Sequence, residues 1–453
     1  MDPTATKRAV SAAAIGNMTE WYDFGVFSYL AGTIGVVFYP SASPTVQLIA
    51  SFTTFAAAFL IRPIGGLVLG PIGDRVGRQR VLAFTMLMMA AGTALIGMLP
   101  TASTVGVLAP ILLLVCRMLQ GFSTGGEYGG ATTFIAEYAP DRRRGFLGSW
   151  LEFGTITGYI TGASIVSLMT LLIGSDAMTA WGWRIPFLLA LPLGAVGLYL
   201  RLRLGDTPAF TQTRQRGQTL AATGLGTQFR QTVVRQWRAL LICIGIVLAF
   251  NVNNYMVTAY LPTYLESEVE YAQLQALGIS LAAMAVMLVC VTFVGRISDR
   301  VGRRRVLLSG STCSIVLALP AFWLMQQGSV VAVLFGTLLL ALTLVQFSGS
   351  APSTLPALFP TNVRYGGMAI GFNVSVALFG GTTPLIAESL VQATGSLYAP
   401  ALQVMAAGVV GILAVVRMRE TANRPLLGAL PAVAGTRRGP GPMDNLGGVA
   451  PTG

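Results

Sequence analysis

The sequence predicts an all-α integral membrane protein, with twelve transmembrane helices in two pseudo-symmetric bundles of six. Three observations carry this prediction. The 453 residues are 54% hydrophobic and only 10% charged, with a mean hydropathy of +0.69, whereas a soluble domain spends about 25% of its residues on charge. Runs of roughly 20 apolar residues, the length that crosses a bilayer as a helix, recur along the whole chain. Finally, the turn "GPIGDRVGRQR" at 70–80 returns as "GRISDRVGRRR" at 295–305, with Asp74 and Asp299, Arg75 and Arg300, and Arg78 and Arg303 each 225 positions apart. Without water to satisfy the backbone, the apolar runs must cross as helices.

The runs fall near 12–38, 47–69, 81–99, 106–136, 145–172, 184–203, 238–264, 272–295, 304–325, 329–352, 366–392 and 397–417. The first follows "MDPTATKRAV" and contains Glu20 and Asp23; a cleavable signal peptide does not hold two acids in its apolar stretch, so this is a retained helix. Even-numbered connections carry Arg75, Arg78 and Arg80, then Arg142, Arg143 and Arg144, the arginines between Arg214 and Arg238, Arg300 to Arg305, and Arg364. Odd-numbered connections hold little that is basic beyond Arg184, and one carries Glu266, Glu268 and Glu270. Basic loops stay on the cytoplasmic side, which puts both termini and the long middle loop there, in the inner (plasma) membrane of a bacterium.

A second pair of loops repeats as well. "APDRRRG" at 139–145 and "FPTNVRYG" at 359–366 share Pro140/Pro360 and Arg144/Arg364, both offset by 220. The halves therefore read as parallel structural repeats. The expected organisation is an N-terminal bundle over 1–203, a cytoplasmic central loop over 204–237, a C-terminal bundle over 238–420, and a disordered Gly/Pro/Ala-rich tail over 421–453.

Composition also excludes functions. The net charge of +12 sits on arginines in short loops, a topology signal rather than a nucleic-acid groove. Cys116, Cys243, Cys290 and Cys313 each lie inside an apolar run and form no CxxC pair. Histidine is absent, which removes the usual near-neutral proton carrier and the commonest metal ligand. Proton chemistry then falls to carboxylates, with no metal and no cofactor expected beyond the proton itself. No nucleophile–base constellation points to an enzyme. A sensor would need an attached signalling domain, and a two-half repeat suits bundles rocking about a central site better than a channel.

Ionisable residues within spans are rare and costly, so each is a functional candidate. They are Glu20, Asp23, Arg62, Arg117, Glu127, Glu152 and Glu388. Arg62 lies toward the end of its run and reads as a snorkelling side chain. Arg117, midway in the fourth run, needs an anionic partner, either a substrate carboxylate or a protein one. Glu20 and Asp23 share roughly one helical face, and Glu127 follows Arg117 by ten residues, close to three turns. Glu20, Asp23, Glu127 and Glu152 are thus the candidates for proton coupling, with structural ion pairing as the alternative.

Trp21, Tyr22 and Phe24 crowd the first span, and Asn251, Asn254 and Tyr255 the seventh, its counterpart in the other half. Aromatic faces recognise quaternary ammonium groups by cation–π attraction. With Arg117 they suit a zwitterion with one carboxylate, such as a betaine; an interfacial aromatic belt is the alternative reading.

Longer stretches carry a resemblance. Twelve spans with "GxxxDRxGRxR" between the second and third, and "RMLQG" at 117–121, resemble the major facilitator superfamily. More narrowly, "GNMTEWYDFGVF" (16–27), "QGFSTGGEYGGA" (120–131), "AEYAPDRRRGFLGSWLEFG" (136–154), "WGWRIPF" (181–187) and "ETANRPL" (420–426) are similar to its metabolite:proton symporter subfamily, nearest to the proline/glycine-betaine branch, from about Ala9 to Leu427. The resemblance implies proton-driven import of a zwitterionic osmolyte by alternating access; the same machine with an organic acid as cargo (α-ketoglutarate, citrate, shikimate or an aromatic acid) is the alternative. It also implies that Asp74, Arg75, Arg78, Glu137, Arg144, Asp299, Arg300 and Arg303 close the cytoplasmic side. Glu137 is the expected partner of Arg78. Its counterpart at an offset of 220 is Ala357, so the second copy should be weaker or partnered differently. Some relatives end in a long charged coiled coil, whereas this chain ends in "GPGPMDNLGGVAPTG".

Overall fold

The computed structural model describes residues 3–76, 78–202, 233–361 and 363–427, and all regular elements there are helical. They form twelve rods: 3–38, 44–76, Arg78–Met98, 108–138, Arg144–Ile173, 175–202, Trp237–Ser267, Gln273–Val301, Arg303–Met325, Val330–Leu358, Arg364–Thr394 and Ala399–Arg417. We number these spans 1 to 12. Among the described residues, nine helices are long and apolar enough to cross a membrane, and span 6 is a tenth, bent by 49° between Ser175–Gly182 and Arg184–Tyr199. Span 3 contributes the shorter apolar helix Ala83–Met98. Span 1 carries Glu20 and Asp23 near its middle. Its outward neighbours show the apolar faces that lipid requires, with Leu95, Ile111, Leu171, Phe293, Val331 and Leu413 exposed.

In the first half, span 1 packs along span 5, span 3 lies between spans 4 and 6, and span 2 packs on span 4. In the second, span 9 packs on spans 10 and 12, span 8 on span 10, and span 7 on spans 11 and 12. The seam between the halves runs through spans 5 and 8, 4 and 11, 2 and 11, and 1 and 7. Spans 7 and 11 each contain a π-helical turn, at Met256–Tyr260 and Val376–Gly380. An extra residue per turn rotates the side chains beyond it, and such turns concentrate at functional sites.

Small residues set the helix spacing. Gly121 and Gly125 of span 4 lie directly against the backbone carbonyls of Ala58 and Arg62 in span 2, leaving no room for a methyl group. Gly154 and Gly158 of span 5 do the same against Ala14 and Met18 of span 1. Close backbone approach of this kind substitutes for the hydrophobic effect, which does not act between helices in lipid.

Two expectations change. Span 2 continues to Val76, seven residues beyond its apolar run, because the glycine-rich turn is still helical there. The segment expected to be a tail from residue 421 is packed as far as Leu427. Residues 203–232 of the central loop, and 428–453, lie outside the described residues. We expect Gly121→Val to overpack the contact between spans 2 and 4 and to cost about 1–3 kcal/mol, read as a lowered thermal unfolding midpoint of the purified protein in detergent.

Candidate functional site

The seam encloses a layer of aromatic side chains at mid-depth. Trp21 of span 1 stands 5.5 Å from Tyr159 of span 5 and 5.9 Å from Tyr255 of span 7, centroid to centroid. Phe59 of span 2 meets Tyr255 edge-on at 5.2 Å. Trp21 donates its indole N–H to Asn17 Oδ1 at 3.2 Å. The Tyr159 hydroxyl lies beside Asn254 and Thr258, while the Tyr255 hydroxyl and Asn251 Nδ2 have no partner among the described residues.

Arg62 reaches into this layer. It is fully buried, and its Nη2 donates to Glu20 Oε1 at 2.8 Å and to the Thr124 carbonyl at 3.4 Å. Its guanidinium carbon lies 5.6 Å from the Phe59 ring and 5.8 Å from Phe24, and its charge acts on Tyr159 and Tyr255. Nε and Nη1 have no hydrogen-bond partner among the described residues. Sequence reading placed Arg62 at a helix end because the apolar run stops at residue 69. The helix does not stop there, which puts Arg62 near the middle of span 2.

Arg117 occupies a different place. Its guanidinium is buried within the first bundle, 4.2 Å from the Phe27 ring and 5.2 Å from both Phe24 and Phe55. Nη1 donates to Gln120 Oε1 at 2.8 Å; Nε and Nη2 make no hydrogen bond. The Asp23 carboxylate lies beside it, next to Thr93. Three of the four candidate carboxylates share one cleft between spans 1, 3, 4 and 6, lined by Glu20, Asp23, Glu127, Met89 and Leu193. Glu127 accepts from Thr85 Oγ1 at 2.7 Å. Glu152, on span 5, instead accepts from the Tyr128 hydroxyl at 2.6 Å, nearer the seam. Tyr22 is not part of the aromatic layer: it donates to the Pro186 carbonyl at 2.7 Å, because one helical step past Trp21 turns it toward span 6. The Phe24 ring lies against both guanidiniums, 5.8 Å from that of Arg62 and 5.2 Å from that of Arg117.

Below this layer the arginine-rich face is sealed. Asp299 of span 8 accepts the backbone N–H groups of Gly145 at 2.7 Å and Phe146 at 2.9 Å, so it caps the first turn of span 5 in the other half. Arg303 donates to Asp299 at 3.3 Å. Glu137 pairs with Arg364 at 2.7 Å, a contact across the seam; the expected contact with Arg78 falls on a side chain outside the described residues. The offset of 220 that matches Arg144 with Arg364 places each arginine at a helix start, and both reach span 4, Arg364 through the Glu137 carboxylate and Arg144 through the Ala136 carbonyl. Between these contacts and the central layer, Tyr128 stacks on Phe372 at 4.0 Å. Arg144 is tied to Asp141 and the Ala136 carbonyl. Arg300 is exposed. The side chains of Asp74, Arg75 and Arg78 lie outside the described residues.

The second copy of the turn finds its acid in Glu420, after span 12. Glu420 accepts the N–H groups of Arg303 and Arg304 at 3.1 Å each, and of Thr421 and Ala422 at 2.8 Å each. The strap that follows joins the halves: Asn423 donates to the Asp299 carbonyl at 2.9 Å and Arg364 to the Leu427 carbonyl at 3.0 Å within the second half, while Arg144 of the first half donates to the Arg424 carbonyl at 3.2 Å. Leu426 is buried against Ala136 and Ala357. The opposite face is closed as well, with Phe52 against Tyr260 at 6.0 Å and Tyr260 donating to Glu388 at 3.1 Å.

The all-helical fold agrees with the comparisons. The Major Facilitator Superfamily model matches residues 13–384. The chain belongs to that superfamily. It is 47% identical over 438 residues to the glycine betaine/proline/ectoine/pipecolic acid transporter of Dickeya dadantii, covering 96% of this chain and 87% of that one. It is also 47% identical over 438 residues, at the same coverage, to the proline/betaine transporter of Escherichia coli. The ectoine/proline transporter of Corynebacterium glutamicum is 44% identical over 440 residues, covering 95% and 87%. Among solved structures, the proton:xylose symporter bound to 6-bromo-6-deoxy-D-glucose superposes with a TM-score of 0.73 at 19% identity, over 94% of this chain and 98% of that one. The partially occluded inward-open xylose transporter of Escherichia coli gives 0.70 at 18%, over 93% and 100%. The protein is therefore a multi-pass membrane transporter, not an enzyme.

Two predictions follow from the sealed face. Asp299→Asn weakens the cap on span 5 and should shift the population toward a state open at the arginine-rich face, read as longer distances between spin labels at positions 142 and 300. Burial pushes the Glu420 carboxyl up, but four backbone N–H groups outweigh it and hold it below the ordinary 4.5. A depressed carboxylate contributes stability above the unfolded value, lost as pH falls through the folded one. A spin label at position 419 should accordingly be immobile at pH 7 and gain mobility on acidification well below pH 4.5, and Glu420→Gln should be mobile at both.

Proposed function

We propose that the protein imports a small zwitterionic osmolyte, such as glycine betaine or proline, together with a proton, by alternating access across a bacterial inner membrane. In this reading the arginine-rich face and both termini are cytoplasmic. The observation that carries it is the buried layer of Trp21, Tyr159 and Tyr255 at the seam, with the Arg62 guanidinium beside it. Aromatic faces suit a quaternary or secondary ammonium and a guanidinium suits one carboxylate. Asn251 and Asn254 border the same layer from span 7. The names of the relatives point to the same substrate class.

Charge balance argues against the organic-acid alternative. Away from the arginine-rich face the described residues of the first bundle hold two buried arginines, Arg62 and Arg117, against the carboxylates of Glu20, Asp23, Glu127 and Glu152. A dicarboxylate would add two negative charges to a region already rich in acids, whereas a zwitterion adds none. Arg117 stands behind Phe24, Phe27 and Phe55, beside Asp23 and within electrostatic reach of Tyr255; in this reading it serves the proton-handling residues Asp23, Glu127 and Glu152. No cofactor other than the coupling proton is needed.

A neutral zwitterion entering with one proton moves one positive charge. A potential of ~100 mV supplies about 2.3 kcal/mol for that charge, roughly 50-fold accumulation. Proteoliposomes with an imposed potential, interior negative, should accumulate radiolabelled betaine; absence of uptake with a sealed, oriented preparation rejects electrogenic symport. Trp21→Leu should weaken betaine uptake by about 1–2 kcal/mol, with a smaller loss for proline, whose ammonium is not quaternary.

A further inference from the structure

We infer that Arg62 is the anchor for the substrate carboxylate and Glu20 the proton carrier, coupled because the two carboxylates compete for one guanidinium. This rests on the osmolyte reading above. Of the two arginines buried away from the arginine-rich face, Arg62 acts on both Tyr159 and Tyr255 of the aromatic layer, whereas Arg117 acts on Tyr255 alone, from behind Phe24, Phe27 and Phe55. Arg62 still has donor capacity, since Nε and Nη1 are unpartnered while Nη2 holds Glu20 at 2.8 Å. A fully buried guanidinium with open N–H groups invites an acceptor.

Glu20 stands at a junction. One side faces Arg62 and the substrate layer, and the other lines the cleft with Asp23 and Glu127. The charged and titratable groups around it are Arg62 from span 2, Glu127 and Tyr128 from span 4, Glu152 and Tyr159 from span 5, Tyr255 from span 7, and Asp23 on its own helix. Among the described residues, spans 3 and 6 line the cleft beside it with Met86, Met89, Ala90, Ala190, Leu193 and Gly194, none of them titratable. Arg62 is a positive charge in direct contact with Glu20.

The cycle balances. At rest the Arg62–Glu20 pair is neutral. A zwitterion arriving at the seam places its carboxylate on Arg62 and its ammonium against Trp21, Tyr159 and Tyr255. Glu20, buried and displaced from the Arg62 charge, takes one proton through the cleft instead of remaining a buried anion. The occupied site then carries one extra positive charge, the charge that crosses. When the substrate leaves on the other face, Arg62 recovers Glu20 and the proton is expelled. Neither partner travels alone. A proton on Glu20 without substrate would strand the Arg62 charge, and a substrate carboxylate without the proton would leave two anions against one guanidinium.

The test is betaine binding to the purified full-length protein, by calorimetry in buffers of differing ionisation enthalpy. Wild type should take up one proton per betaine, with Kd rising about tenfold per pH unit while Glu20 is ionised in the empty protein. Choline, which has the same ammonium and no carboxylate, should drive no proton uptake. Glu20→Gln should bind betaine without proton uptake or pH dependence, and in proteoliposomes should exchange betaine but not accumulate it. Arg62→Gln should lose affinity about 30-fold or more. Because that variant leaves Glu20 buried without its partner, Glu20→Gln/Arg62→Gln is measured beside it and should show the same loss. Betaine binding by wild type without proton uptake, or undiminished binding by the double variant, overturns the inference while leaving the osmolyte reading intact. Failure of wild type to bind either betaine or proline removes both.

Discussion

A guanidinium sealed in an apolar interior must be matched by negative charge, and the centre of this protein is fitted around that requirement. Arg62 brings to mid-membrane a charge whose desolvation costs several kcal/mol, and Glu20 answers it from the neighbouring helix. Span 2 can deliver Arg62 to that depth because Gly121 and Gly125 let span 4 lie directly on its backbone. Span 1 can deliver Glu20 because Gly154 and Gly158 do the same for span 5. The glycines, the pair and the aromatic layer are one construction, in which helix spacing decides where charge can be compensated.

The two closures differ in chemistry. At the arginine-rich face the seam is polar and charge-assisted, with Asp299 on the amides of span 5, Glu137 on Arg364, and the strap beyond Glu420. At the other face it rests on Phe52, Phe59, Tyr260 and the close approach of Gly381 to Phe59. Polar contacts exchange readily for water when a face opens, and aromatic contacts can re-form with a ligand's apolar surface. Each closure therefore has a replacement partner available in the state where it is broken, which keeps the alternatives close in energy.

The fold was legible because its causes are periodic: apolar runs of bilayer length, alternating basic loops, and a turn written twice. Trp21 and Tyr255 were legible for a related reason, since equivalent helices of two repeats face one seam. Arg62 was not. Its position was judged against the end of an apolar run, while helix geometry ignores hydropathy and carries on through the glycine turn. Tyr22 misled in the opposite way, because adjacency to Trp21 in sequence means a turn of about 100° on a helix. Glu420 matched a stretch of family resemblance, yet its contact with the amides of Arg303 and Arg304 joins residues 117 apart and leaves no mark in local pattern.

The strap over 418–427 changes what kind of mechanical object the protein is. The two bundles are already joined covalently between spans 6 and 7. The chain then returns after span 12 to the first bundle, through Arg424 and Leu426, on the arginine-rich face. A strap on one edge of the seam makes the two edges unequal. Parting the bundles at the arginine-rich face has to peel the strap from Arg144 and Ala136, whereas parting them at the opposite face leaves it in place as a hinge.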